Sequence, residues 1–77
     1  MNMVRRNTIR EIRETLSGQL DRLEDALNEE REYYDNMPEG LQGSERGEAA
    51  EEAIDTLESA YTAIDEAINY FDEITGG

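Results

Sequence analysis

Carboxylates are the one reactive group this chain carries in quantity. Glu48, Glu51, Glu52, Asp55 and Glu58 are spaced so that several share one helix face, and a helical bundle can collect a metal ion with such a face. Di-iron bundles, however, combine inward-pointing glutamates with Glu-x-x-His pairs, and this chain has no histidine. The Asp-x-Asp-x-Asp-Gly loop of a calcium site is also missing. Nucleophilic catalysis needs an activated Ser, Cys, Thr or Lys beside a base, and Cys, His and Lys are all absent. Two carboxylates can serve as acid and base on a glycoside, but only in a cleft that desolvates one of them. Gly40-Leu41-Gln42-Gly43 lacks the Lys-Ser/Thr that follows a phosphate-cradling loop. The expectation is a protein with no catalytic residues, no cofactor and no metal.

The carboxylates then matter as charge. Twenty acidic residues oppose seven basic ones, all arginine, for a net charge of −13. Such a chain is repelled by nucleic acid and by anionic membranes, and is attracted to basic protein surfaces. Glu51, Glu52, Asp55, Glu58, Asp65, Glu66, Asp72 and Glu73 form rows along a helix about 48 Å long at 1.5 Å per residue. Rows of this kind imitate a nucleic-acid backbone and suit a basic groove on a partner. The competing account is a solvated face that keeps a small bundle soluble, or adaptation to salt. Arg5, Arg6, Arg10 and Arg13 cluster at the start of the chain, and in an antiparallel pair of helices Asp72 and Glu73 are their expected partners.

Two elements must position these groups. Thr8-Ile9-Arg10-Glu11 matches a capping box, which places a helix over 8–35 after a basic lead-in at 1–7; a start nearer Asn2 is the alternative. Its apolar stripe is Ile9, Ile12, Leu16, Leu20, Leu23, Leu27 and Tyr34, at the spacings of an amphipathic helix. Gly18 interrupts it, and Glu30 takes a stripe position where the seam is expected to open to water. Pro38 cannot continue the helix, and Gly40 and Gly43 add turn signals, so 36–43 reads as a loop. Met37 and Leu41, with Tyr33 and Tyr34, are expected to fold over the end of the helix pair. Ser44 is the natural N-cap of a second helix over 44–75, with Glu45 and Glu48 in the first turn, where the helix dipole favours negative charge. Gly76-Gly77 ends it.

In the second helix Ala50, Ala53, Leu57, Ala60, Ile64, Ala67, Phe71 and Ile74 recur at alternating steps of three and four, a heptad seam. A further row, Ile54, Tyr61 and Ile68, runs beside it, so the apolar face is wider than two strands require. A chain of 77 residues without cysteine is marginal alone. The predicted fold is all-α: an antiparallel helical hairpin that dimerises into a four-helix bundle.

The stretch from Tyr33 to Glu48, Tyr-Tyr-Asp-Asn-Met-Pro-Glu-Gly-Leu-Gln-Gly-Ser-Glu-Arg-Gly-Glu, with the Ala-Glu-Glu-Ala-Ile-Asp helix that follows it, resembles a family of small acidic proteins of bacteriophages and prophages. The resemblance covers roughly the last two thirds of the chain, and its loop is the most specific part. It brings no catalytic or binding residues with it. It implies a mobile-element product in a bacterial or archaeal cytoplasm, where small acidic proteins often inhibit host nucleic-acid-binding machinery such as CRISPR effectors and restriction enzymes. Met1–Arg13 has no apolar core of a signal peptide, and no apolar run approaches the roughly 20 residues of a membrane span, so a cytoplasmic protein is expected. The functional expectation is a non-enzymatic module whose acidic surface docks on a basic protein groove. The alternative is a structural or assembly role as an oligomeric scaffold with a merely solvated acidic surface.

Overall fold

The computed structural model describes residues 1–76. Three helices follow one another: α1, Met3–Asp35; α2, Glu39–Gln42; and α3, Glu45–Thr75. No strand occurs among the described residues. α1 and α3 pack along each other into a rod of 58 × 15 × 14 Å.

α1 begins five residues before Thr8. Asn2 is extended, and its side chain accepts a hydrogen bond from the Arg5 amide at 2.9 Å, so asparagine supplies the cap. Thr8 lies inside the helix, where its hydroxyl donates back to the Val4 carbonyl at 3.0 Å. Nothing between Met3 and Asn7 breaks a helix, which is why the better-placed cap wins. At the other end the Asn36 amide reaches the Glu32 carbonyl at 2.9 Å, and Pro38 stops further propagation.

The segment expected as loop holds the single turn α2. Pro38 precedes it with φ −57° and ψ 146°, and the Leu41 amide donates to the Pro38 carbonyl at 2.8 Å. Gln42 closes the connection: its side-chain amide donates at 3.1 Å to the Tyr34 carbonyl near the end of α1, which also accepts from the Met37 amide at 3.1 Å. Ser44 occupies the N-cap position of α3, yet its hydroxyl donates to the Leu41 carbonyl instead of accepting from the first turn. Met37 is buried under this connection, whereas Leu41 is exposed. Gly76, with φ 79°, caps α3 in the left-handed conformation and donates to the Asp72 carbonyl at 3.0 Å.

One glycine is required by close approach. A Cβ on Gly47 would lie 2.0 Å from the carbonyl oxygen of Gln42. The chain thus turns from α2 into α3 so tightly that only glycine fits there. Gly18, in the middle of α1, has open space where a Cβ would sit.

Contacts between the helices run in reverse order. Arg10 meets Thr75, Arg13 meets Asp72, Glu24 meets Tyr61, Arg31 meets Glu58 and Tyr34 meets Glu51. α1 and α3 therefore run in opposite directions. Burial marks the seam between them. On α1 it follows Ile9, Arg13, Leu16, Leu20, Leu23, Leu27, Glu30, Tyr34 and Met37. On α3 it follows Gly47, Ala50, Ile54, Leu57, Tyr61, Ile64, Ile68, Phe71 and Thr75. Both series alternate steps of three and four, the heptad a and d positions of a coiled coil.

The observed seam departs from the expected one most clearly toward the end of α3. Ala50, Leu57, Ile64 and Phe71 are shared. Between them Ile68 and Thr75 are buried where Ala67 is half-covered and Ile74 exposed, and Ile54 and Tyr61, half-covered like their neighbours Ala53 and Ala60, continue that row. The physical reason is area: covering isoleucine or tyrosine removes more apolar surface from water than covering alanine. On α1, Arg13 takes the seam position next to Ile12, which is exposed. Glu30 sits half-buried in the seam.

The core so formed is thin. Leu20, Leu27, Met37, Ala50 and Ile68 are its buried apolar residues, and among the described residues no large side chain is fully enclosed. Leu16, Leu23, Leu57, Ile64 and Phe71 remain half-covered.

Candidate functional site

With the seam placed, every other residue falls on one of two edges of the rod or on its backs. Positions e and b of both helices form one edge, and positions g and c the other. In an antiparallel pair e rows meet e rows. On α1 the e row is Arg10, Ser17, Glu24 and Arg31; on α3 it is Glu51, Glu58, Asp65 and Asp72.

Among the described residues, the side-chain bonds between α1 and α3 lie on this first edge. The Arg13 guanidinium donates to Asp72 through Nε at 2.9 Å and through Nη2 at 3.5 Å. Arg31 meets Glu58 at 2.8 Å. The Tyr34 hydroxyl donates to Glu51 at 2.6 Å, and the Tyr61 hydroxyl to Glu24 at 3.2 Å. Arg10 donates to the Thr75 carbonyl at 3.0 Å, where a cation suits the negative end of the α3 dipole. These bonds shift the titrating groups. The hydrogen bond to Glu51, then partial desolvation, raises the Tyr34 phenol above its ordinary value. The bond to Glu24, then desolvation, does the same to Tyr61. Asp72, first by hydrogen bonding and then by its charge, raises Arg13.

The eight carboxylates singled out from the sequence divide accordingly. Glu51, Glu58 and Asp72 are engaged with α1. Glu52, Asp55, Asp65, Glu66 and Glu73 are exposed and make no side-chain bond among the described residues. Of the two acidic partners expected for the basic lead-in, Asp72 is used, by Arg13, and Glu73 is not. Arg6 reaches only the Met1 carbonyl, at 3.3 Å. The b rows beside these hold Glu14, Asp21, Asn28 and Asp35 on α1 and Glu48, Asp55, Thr62 and Asn69 on α3, so the first edge is mainly acidic.

The second edge is its opposite. Its g rows are Arg5, Ile12, Gln19, Ala26 and Tyr33 on α1, and Arg46, Ala53, Ala60, Ala67 and Ile74 on α3. Its c rows are Thr8, Thr15, Arg22 and Glu29, and Ala49, Thr56, Ala63 and Tyr70. Glu29 is the one carboxylate in these four rows. A shallow hollow there is walled by Ala49, Glu52, Ala53 and Thr56 and floored by Leu57, so the half-covered seam opens onto this edge. The wide apolar face expected from sequence holds both rows, and heptad spacing alone does not say which of them turns toward this edge. The row that does is Ala53, Ala60, Ala67 and Ile74, beside Ala49, Thr56, Ala63 and Tyr70.

Among the described residues no three carboxylates converge as a metal ion would need. An open hollow on the acidic edge, between Glu24, Asn28, Arg31, Glu58 and Tyr61, is lined by groups already bonded to one another. No helix is long and apolar enough to cross a membrane. No family model matches the chain, and neither curated proteins nor solved structures give a match.

Proposed function

We propose that this chain is a helical hairpin that pairs with a second copy and works as a non-enzymatic protein-binding module, its acidic side occupying a basic groove that otherwise takes nucleic acid. The observation that carries the reading is the collection of carboxylates in parallel rows down one side of a stiff rod 58 Å long. From Glu51 to Glu73 eight carboxylates fall within about 33 Å of helix at 1.5 Å per residue. That is roughly one charge per 4 Å, close to the 3.4 Å per phosphate of one DNA strand. The exposed members, Glu52, Asp55, Asp65, Glu66 and Glu73, are free to meet arginine or lysine from a partner. Rods of this kind gain association rate and selectivity from long-range attraction more than from buried area. The resemblance to small acidic phage and prophage proteins agrees with an inhibitor of host nucleic-acid-binding machinery in the cytoplasm.

A second reading, an oligomeric scaffold, draws on one specific observation: Glu51, Glu58 and Asp72 are spent on holding the two helices together, as a solvated structural face would do. The two separate by capture from the host lysate. Docking on a basic groove requires that the captured protein be released by added salt, be displaced by DNA or RNA, and be lost when Glu52, Asp55, Glu66 and Glu73 are changed together to lysine. Those four positions take no part in the fold's own bonds, so the variant stays helical. Capture that survives both high salt and this charge reversal sinks the groove reading and leaves the scaffold.

A further inference from the structure

We infer that the carboxylate-poor edge is the surface on which a second copy of this chain packs, edge to edge, so that both acidic edges face outward on opposite sides of the pair. The inference rests on the pairing proposed above and names the face responsible.

Three observations converge. The first is apolar exposure. Ile12, Tyr33, Tyr70 and Ile74, which are 45%, 47%, 64% and 45% exposed, all belong to this edge. Past the first two turns of α1 and outside α2, no other large apolar residue is so exposed. The second is the unfinished core. Leu57 opens through the hollow walled by Ala49, Ala53 and Thr56, with Glu52 at its outer rim on the back of α3, and a neighbouring helix can approach closely over the alanine and threonine side of it. The third is charge. Two chains of net charge −13 repel each other. On this edge three arginines stand against the single carboxylate Glu29, and neither Arg22 nor Arg46 pairs with a carboxylate among the described residues. It is the approach along which two copies bring apolar surface together without stacking their acidic rows. An acidic foreign partner would find the arginines here too, but it would leave the chain itself monomeric.

Sedimentation equilibrium tests this on the whole chain, with circular dichroism as a check on folding. Ala49→Glu and Ala63→Glu are the variants, because both positions are exposed on the helix surface and outside the seam. The expected result is a wild-type dimer whose dissociation constant rises about 100-fold or more in the double variant, since a carboxylate would be buried against apolar surface. Ser59→Glu and Thr62→Glu, which add the same charge on the back and the acidic edge, should change it about 3-fold or less at moderate salt. Helicity of the isolated chains should be unchanged throughout. A wild-type protein that stays monomeric at every concentration overturns both this inference and the pairing itself. A dimer that tolerates both alanine replacements overturns this face alone and leaves pairing to be assigned to another surface. Neither result bears on whether the acidic edge binds a basic groove, which the salt and competition measurements decide separately.

Discussion

Arg13 and Asp72 lie 59 residues apart in the chain, and the Nε of the first donates to a carboxylate oxygen of the second at 2.9 Å. The pair ties the beginning of α1 to the end of α3. It also places a charged residue at a seam position that a leucine would normally fill. The stem of Arg13 lies along the apolar interface while its head reaches the acidic edge. A partly exposed pair of this kind adds little to stability.

Replacing Arg13 by methionine should therefore lower the melting temperature less than Leu27→Ala does. Leu27 is 4% exposed, and its truncation should cost about 2–5 kcal/mol. The Arg13→Met effect should shrink further as salt is added, while the Leu27→Ala effect should not. Thermal unfolding at low and high ionic strength makes the comparison. An Arg13→Met loss equal to that of Leu27→Ala at both salt concentrations would show that the pair is a main support of the fold.

The two tyrosine–carboxylate bonds give the fold an alkaline limit. Each phenol is raised above its ordinary 10.0 because only the protonated form can donate to Glu51 or Glu24. A folded-state value above the unfolded one means that the stabilisation is complete below the unfolded value. It is lost as pH rises through the folded value. The double variant Tyr34→Phe/Tyr61→Phe should be somewhat less stable near neutrality and should lose less between about pH 9 and pH 11, where phenols titrate. Urea unfolding across that range reads the two slopes. Identical slopes in wild type and variant would remove these bonds from the account.

Two glycines in helices should respond in opposite directions. Gly18→Ala meets open space and should stabilise by about 1 kcal/mol, the ordinary difference in helix propensity. Gly47→Ala would press a methyl group into the Gln42 carbonyl. It should destabilise despite the same gain of about 1 kcal/mol in propensity, because a backbone atom cannot swing aside. Denaturant midpoints of the two variants, measured together, settle whether the α2–α3 turn is as tight as described.

Salt should stabilise the chain. With twenty acidic residues against seven basic ones, repulsion outweighs the few ion pairs, and the screening length falls from about 30 Å at 0.01 M to about 3 Å at 1 M. The melting temperature should climb steadily over that range, with chloride salts of sodium and potassium alike. A fall with added salt would mean that the arginine pairs, and not carboxylate repulsion, dominate the balance.

Much of the architecture is written locally. The apolar stripes, the stop at Pro38, the dipole-matched Glu45 and Glu48, and the closing Gly76 are short-range signals. A chain with these signals has little choice but to form two long amphipathic helices. The absence of His, Cys and Lys is equally a property of composition, and it set the expectation of a binding surface in place of catalysis. The start of α1 was less legible, because Asn2 and Thr8 both offer a cap and only the complete first turn shows which one holds the amide of Arg5.

What the sequence left open is which of two apolar rows on α3 meets α1. Ala53, Ala60, Ala67 and Ile74 keep the heptad rhythm as well as Ile54, Tyr61, Ile68 and Thr75 do, and periodicity has no means of ranking them. Packing ranks them, because larger side chains gain more by leaving water and because Tyr61 and Tyr34 find carboxylates across the seam. That single rotation of α3 sends the alanine row to the outer edge. It gathers nearly all the carboxylates on the other sides of the rod and makes one acidic helix into a molecule with two unlike edges.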